Sequence, residues 1–126
     1  MIAKGITPIL NVSDIRASFA WFEKLGWGNK WEWDDPPTFG GISSGHYQIF
    51  HCLDCQGGRG KNAMWMSLWV DDVDAVYQEC IANGIEVTMP PSDKPWNVRE
   101  MHVRHPDGHM FRIGNGVFEE EPEEEK

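Results

Sequence analysis

A chain of 126 residues, 40% apolar and 25% charged, has the composition of one globular domain and leaves no room for a second catalytic one. No apolar run approaches the ~18 residues of a membrane helix. The net charge is −9, but six of the 20 acidic residues crowd into positions 119–126, and the remainder carries 14 acidic against 10 basic residues, a balance of −4. The expectation is a domain over 1–118 followed by a disordered, solvated acidic tail over 119–126. The acidic balance sets nucleic acid aside and makes cationic partners more plausible. The opening Met1-Ile2-Ala3-Lys4-Gly5 lacks a signal peptide's apolar stretch, and three cysteines do not make a disulfide framework; both point to a reducing cytoplasm.

In chain order, Leu10-Asn11-Val12 reads as a strand. A helix follows, capped by Ser13 or Asp14, with Ile15, Phe19 and Phe22 as its apolar face and Gly26 as its stop. Trp21 and Trp27, in or beside it, read as core residues. Three strand-like runs come next, Gly28 to Asp34, Thr38 to Ser43 and His46 to Leu53. Cys52 and Cys55 form a CxxC with no second pair, read as two reduced thiols in a solvated loop. Gln56-Gly57-Gly58-Arg59-Gly60 is a linker; no GK[ST] follows to make it a phosphate loop.

The pattern then repeats at an offset of 58, with Leu68-Trp69-Val70-Asp71-Asp72-Val73 against Leu10-Asn11-Val12-Ser13-Asp14-Ile15. Val73, Val76, Tyr77, Cys80 and Ile81 form one helix face, with Asp71 or Asp72 as cap and Gly84 as stop. Strands are expected over Ile85 to Met89, Val98 to Arg104 and His109 to Ile113. Gly45-His46 and Gly108-His109 align at an offset of 63, which puts five extra residues in a loop over 90–95. Pro106-Asp107-Gly108 marks a tight turn, with His105 and His109 flanking it and facing water. Two βαβββ repeats, about 4–54 and 62–116, are each too small to hold a core alone. Paired, they make an α+β fold: a curved mixed sheet with helices on one face and a concave groove on the other.

This order and these motifs resemble the vicinal oxygen chelate superfamily of glyoxalase, bleomycin-resistance and ring-cleaving dioxygenase proteins. Ile6-Thr7-Pro8-Ile9-Leu10-Asn11-Val12-Ser13-Asp14-Ile15 is similar to its opening strand and helix start, and Pro106-Asp107-Gly108-His109-Met110-Phe111-Arg112-Ile113 to its closing hairpin. Pro95-Trp96-Asn97-Val98-Arg99-Glu100 is similar to a segment of the bleomycin-resistance branch, although Asn97-Val98 replaces a single glycine and His105 an aspartate. Enzymes of the superfamily hold a divalent ion at four sheet positions, which fall here on Thr7, Ile49, Trp65 and Arg112. None of the four is an imidazole, carboxylate or thiolate, so the resemblance implies no metal, no cofactor and more readily a binding protein than an enzyme. The enzymatic alternative, a lyase, isomerase or dioxygenase, needs substitute ligands such as His51, His102 and Glu100.

Strand alternation sends Met66, Leu68, Val70, Phe50, Cys52, Phe111 and Ile113 toward the helices. Trp65, Ser67, Trp69, Tyr47, Ile49, His51, Met110 and Arg112 are left for the groove. By motif position, Phe39 and Trp96 match ring residues that grip the drug at the dimer interface of bleomycin-resistance proteins, and Trp31 or Trp33 can supply a third ring. The expected ligand-binding set is therefore Trp31, Trp33, Phe39, Tyr47, His51, Trp65, Trp69, Trp96, His102 and Arg112. The expected partners are a flat aromatic small molecule, which Asp34 and Asp35 would favour as a cation, and a second copy of the chain. A bleomycin-type antibiotic held without turnover is the first reading; a binding domain for a host metabolite is a third.

Overall fold

The computed structural model describes residues 1–116; the end of the expected domain and the acidic tail lie outside the described residues. The elements run β1 (Ile9–Val12), α1 (Ile15–Glu23), β2 (Gly28–Trp33), β3 (Phe39–Ser44), β4 (Tyr47–Leu53), β5 (Trp65–Trp69), α2 (Val73–Asn83), β6 (Glu86–Lys94), β7 (Val98–Arg104) and β8 (Met110–Gly116). These are the two βαβββ units of an α+β fold. Each contributes one four-stranded mixed sheet, ordered β1-β4-β3-β2 in the first half and β5-β8-β7-β6 in the second. The first strand of each half lies parallel to its last one, β1 to β4 and β5 to β8, while the other pairs are antiparallel.

The caps resolve as local chemistry requires. Asp14 accepts the Ala17 N–H and Asp72 accepts those of Asp74 and Ala75, satisfying donors that a helix start leaves free. Gly84 ends α2 in the left-handed region at φ 75°, where a side chain would be strained. On α2, Val73 and Cys80 are buried and Val76 and Tyr77 partly so, but Ile81 is exposed, because β6 to β8 meet only the near side of the helix. Burial pushes the free Cys80 thiol up to about 11.

Both sheets turn one face into a common core. Leu10, Val12, Ile42 and Ile49 of the first half join Phe19, Trp21 and Phe22 of α1 and Met101, Val103, Phe111 and Ile113 of the second half in one buried cluster. Trp21 and Phe22 both meet the Phe111 ring, so α1 packs across the seam onto β8.

Three expectations are corrected here. Residues 90–94 are not a loop: β6 runs on to Lys94, absorbing register shifts after Val87 and Met89. It is an edge strand, where Pro90 and Pro91 remove no ladder bond that the sheet needs. His105 and His109 do not face water; both are fully buried beneath α1 and the start of β5. On β4 the faces are inverted. Ile49 and His51 point into the core beside Ile42 and Phe19, while Phe50 lies on the outer face.

The inversion comes from the two hairpins. Ser44 pairs with Tyr47 across a two-residue turn, whereas Arg104 pairs with Met110 across five residues, so their glycines are not equivalent. Ile9 pairs with Phe50, and Ser67 pairs with Arg112. The counterpart of Arg112 is therefore Phe50 and not Ile49, a slip of one residue that exchanges every side chain between faces.

Candidate functional site

The outer face of the second sheet carries a polar row between exposed indoles. Ser67 on β5, Arg112 on β8 and His102 on β7 are lateral neighbours, and Glu100 lies one step along β7 on the same face. Glu100 is almost completely buried and accepts from three side chains. Arg112 donates through Nε and Nη2 to Oε1 at 3.0 and 2.9 Å, Trp96 donates Nε1–H to Oε1 at 3.1 Å, and His102 Nε2 lies 2.9 Å from Oε2. The Arg112 guanidinium, then the His102 and Trp96 hydrogen bonds, outweigh desolvation and hold the Glu100 carboxyl down to about 2. Arg112 Nη1 donates onward to Ser67 Oγ at 3.2 Å.

Around this row, Trp65 is 67% exposed, Trp69 64% and Trp96 56%. The Arg112 Cζ lies 6.0 Å from the Trp69 ring centroid, and Trp65 meets His102 edge-on at 6.3 Å. Ser67, Trp69, Val98, Glu100, Arg112 and Gly114 line a shallow dent at its centre. Five expected site residues, Trp65, Trp69, Trp96, His102 and Arg112, thus share one face.

A second aromatic group occupies the outer face of the first sheet. Trp31, Phe39 and Phe50 touch one another at centroid separations of 5.5 to 5.9 Å, and Trp33 pairs laterally with Phe39. Trp31 Nε1 donates to Gln48 Oε1. A Cβ at Gly41 would meet the Trp31 Nε1 at 2.6 Å, so only glycine lets this indole lie flat on the strand. Trp31, Trp33 and Phe39 stand as expected; Phe50 and Gln48 were missed through the slip on β4. Among the described residues, no hydrogen bond or ring contact joins this group to the one around Arg112.

Two expected residues are placed elsewhere. His51 is a core residue, its ring against Phe19 and Phe22. Tyr47 lies at the mouth of β4 on the His51 side, beside a cleft of about 790 Å³ between the halves, lined also by Thr7, Trp27, Ile49, Met66 and Trp69. His51 therefore lies on the opposite side of its sheet from the outer face, and the substitute ligand set His51, His102 and Glu100 is not brought together.

The four positions that the family resemblance gives to a metal resolve to Thr7, Phe50, Trp65 and Arg112, with Ile49 withdrawn into the core. A hydroxyl, a phenyl ring, an indole and a cation do not suit a divalent ion, which takes imidazole, carboxylate or thiolate donors. Among the described residues no three His, Cys, Asp or Glu side chains converge to hold one. The cysteines also differ from expectation. Cys52 and Cys55 are joined as a disulfide with Cα atoms 5.8 Å apart, because the chain turns sharply after β4 and brings the second thiol back over the first. Asn11 Nδ2 then donates to the Cys55 and Gly57 carbonyls, fastening this turn along β1.

Among the described residues no helix is long and apolar enough to cross a membrane. No curated protein matches the chain. Among solved structures it is similar to TioX from Micromonospora sp. ML1, at 19% identity and TM-score 0.75 over 90% of this chain and 99% of that one. It is also similar to a bleomycin resistance determinant encoded on the transposon Tn5, at 20% identity and TM-score 0.73 over 92% and 100% of the two chains. A third likeness is a glyoxalase/bleomycin resistance protein/dioxygenase from Nocardioides, at 17% identity and TM-score 0.76 over 100% and 93%. At these identities the likenesses show the fold. The sequence profile of the Glyoxalase/Bleomycin resistance protein/Dioxygenase superfamily matches residues 5–113, and the chain belongs to that superfamily.

Proposed function

We propose that this is a binding protein working without turnover, which sequesters a flat aromatic small molecule between two copies of the chain. The observation that carries this reading is the face around Arg112. Three indoles stand more than half exposed there, around a polar centre whose residues hold one another in place. Exposed tryptophans are rare on a surface with no use for them, and each ring stacked on a ligand adds ~0.5–1.5 kcal/mol beyond the area it buries. The first sheet offers a second aromatic wall in Trp31, Trp33, Phe39 and Phe50. A groove between the two walls needs a partner copy, since the two groups do not touch within one chain.

The solved neighbour from Tn5 is a bleomycin resistance determinant, which makes bleomycin the first probe. Two or three ring contacts with their apolar burial suffice for micromolar affinity, roughly −8 kcal/mol. Titration of tryptophan fluorescence with metal-free bleomycin should saturate at one drug per groove. Trp65→Phe and Trp69→Phe should each weaken binding by several-fold. No change at tens of micromolar drug, with the protein folded by circular dichroism, removes this ligand.

A further inference from the structure

Two arginines on the second sheet each give Nε and Nη2 to one carboxylate and differ in what Nη1 meets. Arg99 donates Nε and Nη2 to the two oxygens of Asp74, both at 3.0 Å, and Nη1 to a second carboxylate, Asp93 Oδ1, at 3.1 Å. Arg112 donates Nε and Nη2 to the single oxygen Glu100 Oε1, and among the described residues its Nη1 meets only the neutral Ser67 hydroxyl. Glu100 divides its charge among Arg112, His102 and Trp96, so the far edge of the Arg112 guanidinium keeps its positive character toward the groove. A guanidinium carries five N–H donors in a plane, matched in shape to carboxylate oxygens. With three spent as described, Arg112 retains donors on the edge beside Ser67. Trp65 and Trp69 flank this edge on the same strand, four residues and roughly 13 Å apart, a gap wide enough for a flat ring system.

We propose that the missing second carboxylate comes from the ligand: the face takes a flat aromatic carboxylate, its ring against Trp69 and its oxygens on Arg112 Nη1 and Ser67 Oγ. This rests on the aromatic-binding reading above and adds the charge of the ligand, which is anionic at this end of the groove. The Ser67 hydroxyl, while accepting from Arg112, has its own proton free to donate to the second carboxylate oxygen.

Calorimetric titration of the full chain with 2-naphthoate, 2-naphthamide and 2-naphthylmethylammonium tests it. The rings are the same and only the charged group changes. The naphthoate should bind at least about tenfold more tightly than the other two, the scale of one charge-assisted hydrogen bond. Arg112→Gln should bring the naphthoate to the level of the amide. If that variant fails to fold because Glu100 loses its partner, Ser67→Ala should still weaken the naphthoate several-fold and leave the amide unchanged. Equal binding of the three probes, or a preference for the ammonium, overturns the carboxylate proposal and leaves the aromatic reading standing. No binding by any of them at millimolar concentration overturns both.

Discussion

Ser18 is the one polar side chain that α1 buries against both halves. Its Oγ lies 2.8 Å from His51 Nδ1 and 2.7 Å from His105 Nε2. The tautomers follow from the surroundings. His105 Nδ1 accepts the Asp107 N–H at 3.0 Å, so its proton is on Nε2 and is donated to Ser18, which passes its own hydrogen to His51. Among the described residues His51 Nε2 is left buried without a partner. His109 Nδ1 accepts the Met64 N–H, and its Nε2 donates to the Asn11 carbonyl. Desolvation first, then the neighbouring imidazoles, pushes His51 down to about 3 and His105 to about 4, the latter against an upward pull from Asp107. Both pKa values are lowered, so the unfolded chain takes up protons that the folded one refuses. Their contribution is complete above the ordinary value of about 6.5 and is lost as pH falls below it. Urea unfolding should therefore show a loss of about 3 kcal/mol between about pH 7.5 and pH 5.5, before carboxylates begin to titrate. An unchanged midpoint over that range would mean that the two rings are already solvated. The Pro-Asp-Gly turn was legible in the sequence, but the burial of its histidines was not, because it depends on α1 lying across the turn from the other half.

Among the elements, β4 shows where reading by repeat stops working. The helices, their caps and the strand order follow from local patterns: apolar spacing, an aspartate before each helix, a glycine after it. Register across a hairpin depends on turn length, and the Gly-His dipeptides of the two halves sit in turns of different size. The face of β5 was legible, with Trp65, Ser67 and Trp69 outward, because the offset of 58 holds there. On β4 the apolar run Ile49-Phe50 fits either face, and no alternation decides between them. The two registers predict opposite mutants. Ile49→Ala should cost about 2–4 kcal/mol in urea unfolding, as expected of a core aliphatic truncated to a cavity, and leave ligand affinity nearly intact. Phe50→Ala should cost less stability and more affinity, since its ring supports Trp31 and Phe39 on the outer face. The reverse pattern would restore the alternative register.

At the scale of the molecule, both helices and the inner faces of both sheets are spent on one core, and the outer faces carry the rings that remain. Trp33, Trp65, Trp69 and Trp96 are each more than half exposed, a larger apolar display than a monomer of this size usually tolerates. Among the described residues of one chain neither aromatic wall has an opposite side. A two-fold dimer resolves this, because a symmetric contact can set the first sheet of one copy against the second sheet of the other twice over. Flat ligands would then lie in two equivalent grooves, each gripped from both chains. Sedimentation at micromolar concentration should give a dimer near twice 14.4 kDa. Trp33→Ala, on the wall that lacks the arginine, should still weaken ligand binding in the groove of its partner. Mixing Trp33→Ala chains with Arg112→Gln chains sharpens the prediction: the hybrid dimer pairs one intact groove with one carrying both defects, so it should bind about half the ligand with full affinity. A monomer that binds its ligand as tightly as the proposed dimer would leave the wall around Trp33 without a role in the site.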